Sequence, residues 1–262
     1  MARGTLQDFY FDRATEERVA DTDRHYHTSY EVYYLLSGDC RYFVDDRTYD
    51  LEVGDVIILP PGVIHRTIYS KDPHSRLLIN FAEEYLPPSV SSDKERLAYL
   101  YRGGEISGRV YELLCRIEEE YRVSDRHSDD LIRCYVTEIL LILLRSNASP
   151  VTRERMNPIV DKTIKYIRDN FGQQISLSEA AKYSAVSPEH LSRLFKRVTG
   201  FGFSEYLTVY RLQRAEEMLI NEPGRSVSEV AFACGFNDSN YFSHRFKGIY
   251  GYPPSRVRRK EG

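Results

Sequence analysis

The chain lacks most of what would place it in an oxidising compartment or in a bilayer. Its four cysteines (Cys40, Cys115, Cys134 and Cys234) have no paired spacing, which excludes a disulfide framework and reads as reduced thiols. The segment Met1 to Arg24 is charged and has no apolar core of signal-peptide length. The longest apolar run, Ile139–Leu144, is far too short to span a membrane. The expected location is therefore the cytoplasm, with no membrane partner. A strong overall charge is also absent, because the net value of −3 taken whole says nothing about nucleic acid.

Split at Thr152, the charge is informative. Residues 1–152 hold 18 Lys+Arg against 27 Asp+Glu, a balance of −9, and the remainder hold 18 against 12, a balance of +6. An acidic body with a basic tail domain fits a DNA-binding module tethered to a part that binds something else. A length of 262 residues allows one large domain or two ordinary ones.

An internal repeat favours at least two. Ser176-x-Ser178-Glu179-x-Ala181 recurs as Ser226-x-Ser228-Glu229-x-Ala231 at an offset of 50. Ser192-x-x-Phe195-Lys196-x-x-x-Gly200 recurs as Ser243-x-x-Phe246-Lys247-x-x-x-Gly251 at an offset of 51. Each copy reads as a capped helix, a tight turn and a second helix, which is a helix-turn-helix. Ser176 with Glu179, and Ser226 with Glu229, form capping boxes at the first helices. Gly235 supplies the turn in the second copy, and Ala185 holds that place in the first. The second helices start at Ser187-Pro188-Glu189 and near Asp238.

Leu191, Leu194, Phe195 and Val198 give the first of these helices an apolar face, and Tyr241, Phe242, Phe246 and Ile249 the second. The opposite faces carry Glu189, Ser192, Arg193, Lys196 and Arg197, then Ser239, Asn240, Ser243, His244 and Lys247. Arg and Asn suit bidentate contacts to guanine and adenine edges, and the late lysines suit phosphates. Between the copies, Phe203 to Asn221 is one helical pattern of 19 residues. At ~1.5 Å per residue it spans roughly 28 Å. That is near the ~34 Å between successive grooves on one face of a duplex.

The first half has a different period. Strands are expected at Glu31–Leu36, Arg41–Val44, Thr48–Leu51, Val56–Leu59, His65–Tyr69 and Arg76–Phe81, with Asp45-Asp46 as a hairpin turn. Such short, closely spaced strands predict an antiparallel barrel or sandwich. Two helical patterns follow, one through Val110, Leu113, Leu114, Ile117 and Tyr121, the other through Leu131, Ile132, Tyr135, Val136, Ile139, Leu140 and Leu143. Their apolar surface reads as a homodimer interface, or as packing onto the barrel. The expected organisation is 1–90 barrel, 91–146 helical dimerisation segment, 147–158 linker and 159–262 tandem helix-turn-helix domain.

From about Ile159 to Arg259, some 40% of the chain, the sequence resembles the DNA-binding domain of AraC-family transcriptional regulators. The signature is Gly235-Phe236-x-Asp238-x-x-Tyr241-Phe242-x-x-x-Phe246-Lys247 with terminal Pro254-Ser255-x-x-Arg258. Val257 departs from it, standing where the family usually has an aromatic. The resemblance implies base contacts from Glu189, Ser192 and Arg193, then from Asn240, Ser243 and His244. It also implies double-stranded promoter DNA as partner, and RNA polymerase if the protein is an activator.

His25-x-His27-x3-Glu31-x6-Gly38, followed by Gly54-x5-Pro60-x-Gly62-x2-His65, is similar to the two cupin motifs. Val19 and Tyr69 depart from them. Residues 25, 27 and 31 share parity, so one strand would turn them to one face, and His65 would join from elsewhere. Such a set suits a divalent transition metal. It also suits hydrogen bonds to an organic effector, with Tyr33 and Arg41 beside it, or plain packing. Tyr33, Tyr34, Tyr42 and Tyr49 suit stacking on a sugar ring, and Arg41 and Arg66 suit polar or acidic ligands.

The fold expected is α+β and multidomain: a cupin-like antiparallel β-barrel with flanking helices, then an all-α domain of two helix-turn-helix motifs joined by a long helix. The function expected is a regulator, not an enzyme, and the family resemblance implies a carbohydrate or related metabolite as its effector. A metal-dependent cupin enzyme or a metal-responsive regulator using His25, His27, Glu31 and His65 is the rival.

Overall fold

The computed structural model describes residues 9–16, 29–69, 73–93, 97, 99–146 and 156–259. Among these the N-terminal half forms two antiparallel sheets. The larger has the order β1 (Phe9–Glu16), β7 (His74–Phe81), β2 (Tyr30–Ser37), β5 (Val56–Leu59) and β8 (Leu100–Tyr101). The smaller has the order β4 (Arg47–Leu51), β3 (Cys40–Val44) and β6 (His65–Tyr69). The six strands expected from the sequence are present to within two residues. The short β8 and the edge strand β1 were not named, since each has only one strand neighbour and a weak alternation.

Strand β2 is buried along both faces, and its parity separates two cores. Tyr30, Val32 and Tyr34 pack in the cluster beneath the helices, with Phe9, Ile58 and Ile79. Tyr33 and Leu35 turn the other way and join Tyr42, Val44, Ile57 and Leu59 between the sheets. Tyr33 and Tyr42 meet edge to face across that gap, with ring centroids 5.2 Å apart.

The helix pair α2 (Gly104–Val123) and α3 (Ser128–Arg145) covers the larger sheet. Val110, Leu113, Leu114 and Ile117 of α2 lie in the same cluster as Ile132, Val136, Ile139, Leu140 and Leu143 of α3 and the sheet residues. Most of the stripe read as a dimer interface is thus used in packing on the sheet. The large apolar side chains left exposed on this pair are Tyr111, Val123 and Leu131. A 3-10 turn at Glu83–Tyr85 and the single helical turn α1 (Pro88–Ser91) precede the pair.

The C-terminal half is helical: α4 (Pro158–Asn170), α5 (Leu177–Tyr183), α6 (Pro188–Thr199), α7 (Phe203–Asn221), α8 (Val227–Ala233) and α9 (Ser239–Tyr250). The expected linker lies mostly outside the described residues; its last residues cap α4, with Asn157 accepting from the Ile159 amide and Pro158 in the first turn. Both capping boxes form, with Ser176 and Ser226 accepting from the amides of Glu179 and Glu229, whose carboxylates accept in return. Ser187 caps α6, and Asp238 caps α9 by accepting from the Asn240 and Tyr241 amides.

One assignment of faces is corrected. Tyr241 is 53% exposed, and the apolar face of α9 is Phe242, Phe246 and Tyr250. The core-facing residues of α9 recur four apart, at 242, 246 and 250, with Ile249 packed beside them. Val257 is buried in the C-terminal core despite its departure from the family pattern.

The two turn positions differ in strain. Ala185 sits at φ 58° and Gly235 at φ 81°, the left-handed region where a Cβ costs about 1–2 kcal/mol. At Gly235 a Cβ would lie 2.5 Å from the Phe171 carbonyl oxygen and 2.7 Å from an Arg211 nitrogen. Gly235→Ala is expected to cost about 2–4 kcal/mol, the left-handed penalty plus roughly 1–3 for the overlap. Ala185→Gly, which removes a Cβ from the same kind of turn, should be within about 1 kcal/mol of wild type. Urea denaturation of the two variants beside the wild type measures both.

Candidate nucleic-acid interface and effector site

In α6 the alternation of buried and exposed residues is complete. Leu191, Leu194 and Phe195 are buried, while Glu189, Ser192, Arg193, Lys196 and Arg197 are exposed. In α9, Asn240, His244 and Lys247 are exposed, but Ser239 and Ser243 are half-buried. The Ser243 hydroxyl donates to the Ser239 carbonyl at 2.8 Å, so it is partly engaged within its own helix. Arg245 was missed in the sequence. It is half-buried next to His244, and its Nε is buried without a hydrogen-bond partner among the described residues. A cation held at the edge of α9 suits an anionic group such as a backbone phosphate.

The rod α7 is clamped to the start of the first unit by one arginine. Arg211 Nε donates to the Phe171 carbonyl at 2.8 Å and its second terminal nitrogen to the Gln173 carbonyl at 2.7 Å. Gln174 then donates to the Gly235 carbonyl at 3.0 Å and to Asn237 at 2.8 Å. The loop after α4 is therefore tied both to the rod and to the turn that aims α9. Three of these bonds run from side chain to main chain and the fourth from side chain to side chain, across 38–63 residues, which no local pattern reveals.

Between the sheets of the N-terminal half, Glu31 is 5% exposed and His65 4% exposed. Tyr42 donates to Glu31 Oε1 at 2.5 Å and Asn80 donates to Oε2 at 3.2 Å. His65 Nδ1 donates to the Val63 carbonyl at 2.8 Å, and its Nε2 lies 3.9 Å from Glu31 Oε2. Burial, and then the Glu31 charge, push the Tyr42 phenol well above its ordinary pKa, which keeps it a donor. Tyr33 reaches Cys40 Sγ at 3.6 Å, and burial pushes that thiol up to about 12.

Of the expected effector set, Glu31, Tyr33 and His65 share this inner face. Arg41 does not: it lies on the outer face, exposed, with a two-pronged ion pair to Asp50 at 2.6 and 2.9 Å. Its odd parity in β3, opposite to Tyr42, turns it away. His25 and His27 lie outside the described residues. Among the described residues no three His, Cys, Asp or Glu side chains gather to hold a metal ion. His65 and Glu31 do fit two corners of such a site, because the Nδ1 bond to a carbonyl aims Nε2 at the carboxylate, as in many metal-ligating histidines.

A cavity of about 340 Å³ lies elsewhere, lined by Tyr30, Ile58, Pro60, Pro61, Glu83, Leu97 and Tyr99. Tyr30 and Ile58 belong to the helix-side cluster, so this cavity and the Glu31 group occupy opposite faces of one sheet. The cavity was not foreseen, since residues from four separate segments meet there.

Two family profiles match the chain: the AraC-like ligand binding domain over residues 10–133 and a helix-turn-helix domain over residues 180–260. The chain belongs to the AraC-family transcriptional regulators. It is similar to the Msm operon regulatory protein of Streptococcus mutans, 26% identical over 246 residues, covering 88% of this chain and 84% of that one. It is also similar to the HTH-type transcriptional activator RhaR of Mannheimia succiniciproducens, 22% identical over 245 residues, covering 89% and 86%. Among solved structures, the C-terminal domain of AraT, a response regulator from Geobacillus stearothermophilus, is 34% identical over 40% of this chain and 88% of that chain, with a TM-score of 0.39.

The protein is thus a DNA-binding transcriptional regulator with a ligand-binding domain. No described helix is long and apolar enough to cross a membrane.

The Glu31 cluster yields its own test. Tyr42→Phe removes the donor to a buried carboxylate and should cost about 1–3 kcal/mol in chemical denaturation. Glu31→Gln with Tyr42→Phe should cost less than the sum of the two single changes. Additive costs would mean that the two side chains do not interact.

Proposed function

We propose that α6 and α9 read two successive major grooves of promoter DNA, and that a carbohydrate or related metabolite bound in the N-terminal half changes this binding. The supporting observation is the pair of capped helices with matching exposed polar faces, joined by a 19-residue helix of roughly 28 Å. Arg193, Asn240 and His244 read base edges, and Lys196, Arg197, Lys247 and Arg245 hold phosphates. Glu189 accepts from a cytosine amino group. The balance of +6 in the C-terminal part supports a strong salt dependence. The protein works in the cytoplasm as a homodimer and, as an activator, contacts RNA polymerase.

Effector chemistry rests on the tyrosines. Tyr30 and Tyr99 line the cavity, where the flat ring face suits the C–H edge of a sugar. The Glu31–His65 pair favours a second reading, a metal-responsive regulator. For ligand to control DNA binding, it must bind one arrangement of the two halves better than another.

On a fragment selected from a random library by the wild-type protein, Arg193→Ala and His244→Ala should each weaken specific binding about tenfold or more and relax sequence preference. Unchanged specificity in both would refute the groove assignment. A thermal-shift screen of sugars, sugar acids and divalent metals addresses the effector. A sugar that raises Tm by several degrees supports the carbohydrate reading. A rise with a divalent metal alone, abolished in Glu31→Gln, would replace it with the metal reading.

A further inference from the structure

Two strands of the small sheet carry the buried polar cluster on one face and the DNA-binding half on the other. In β3, Tyr42 turns inward to Glu31, and the next residue, Phe43, turns outward. In β6, His65 turns inward and Arg66 outward, and Arg66 is the cross-strand partner of Phe43. Phe43 and Ile64 are fully buried, and they belong to the core of the C-terminal half, not to that of their own sheets.

The outward contacts are of three kinds. Phe43 packs edge to face on Phe201 and Tyr206, each with centroids 6.1 Å away. Arg66 lies 5.3 Å above the Phe201 ring and 3.5 Å from Glu205. At the hairpin tip, Arg168 of α4 pairs with Asp45 at 2.8 Å and Asp46 at 3.0 Å, and the Tyr206 hydroxyl donates to the Asp45 carbonyl at 3.2 Å. Burial opposes the Arg168 charge, but the Asp45 and Asp46 carboxylates outweigh it and hold that pKa above its ordinary value. The partner surface is the first reading unit: α4, the turn after α6, and the start of α7. None of the exposed polar side chains of α6 takes part.

We propose that this outer face of β3 and β6, with the Asp45–Asp46 tip, is a docking latch that carries changes in the Glu31–Tyr42–His65 cluster to the first reading helix. The physical reason is parity. A strand is stiff across a single peptide, so a rotation or shift that moves Tyr42 or His65 inside must move Phe43 or Arg66 outside. The contact is then a two-state element that the inner cluster biases. It rests on the regulator reading, but its first test needs neither DNA nor an identified effector.

Hydrogen exchange of the full-length chain provides that test. Arg168→Gln, a change at a half-exposed ion pair, is expected to speed exchange about fivefold or more at residues 43–46 and 200–207 while leaving α8 and α9 unchanged. Tyr42→Phe, and Glu31→Gln as a second inner variant, should also speed exchange at 200–207, although neither side chain touches that segment. If Arg168→Gln leaves both segments as in wild type, there is no latch. If the inner variants alter only the strands around them, the two faces are uncoupled and the proposal fails.

On the library-selected fragment, Arg168→Gln should change affinity at least about fivefold despite facing away from the reading surface. An unchanged affinity would also overturn the proposal. Failure of the wild type to select any fragment would instead count against the DNA reading, and the exchange result would stand apart from it.

Discussion

Tyr206 is fully buried at the start of α7, and its ring lies 5.5 Å from that of Phe195, 6.0 Å from Phe201 and 6.1 Å from Phe43. These neighbours come from the first reading helix, from the turn that follows it and from the small sheet of the N-terminal half. Burying such a ring contributes about 1.5–3 kcal/mol, and each aromatic pair adds roughly 0.5–1.5. Its hydroxyl is satisfied by the Asp45 carbonyl. Sensor sheet, first reading unit and rod are therefore packed around one side chain, and the placement of each constrains the other two.

The second reading unit is held differently. It joins the rod through a smaller cluster of Phe236, Phe242, Phe246 and Tyr250, whose rings are 4.1–5.6 Å apart along the series. Polar bracing through Gln174 and Arg211 sets its angle. Tyr250 also donates to the Leu212 carbonyl at 3.3 Å. A continuous helix fixes the spacing of the two helix-turn-helix units, and side-chain-to-carbonyl bonds fix their orientation. The division has a reason: helix rise is a backbone constant, whereas rotation about the helix axis has to be specified by contacts.

The N-terminal half has a parallel division between its two faces. The helix-side face of the larger sheet is mainly apolar, with Arg13 paired to Glu118 and Tyr34 hydrogen-bonded to Ser107 of α2, and it supplies stability. The inner face is where buried polar groups collect: Tyr42 and Asn80 hydrogen-bond to Glu31, and the His65 ring lies 3.9 Å from the same carboxylate. Leaving such groups without partners costs about 1–3 kcal/mol each, so the group is maintained as a unit. That is the property a responsive site needs, since a change at one member is felt by all.

The helices, their caps and the duplicated motif were legible in the sequence because they depend on local rules: a serine three residues before a glutamate, a 3.6-residue period and a 19-residue uninterrupted pattern. Strand parity is legible for the same reason, and Glu31 and Tyr33, two positions apart in β2, share a face. Long-range geometry was not. Tyr241, next to the buried Phe242, reads as part of the apolar face of α9, but the packed structure leaves it exposed. Arg41 looked available until Asp50 appeared opposite it across a strand pair. The Arg211 clamp and the contact of Arg168 with the hairpin tip join residues 38 to 123 positions apart, and the cavity at Pro60–Pro61 and the packing of Phe43 likewise gather residues from separate segments. Periodicity records which side of an element a residue occupies, but only the packed chain decides what stands on that side.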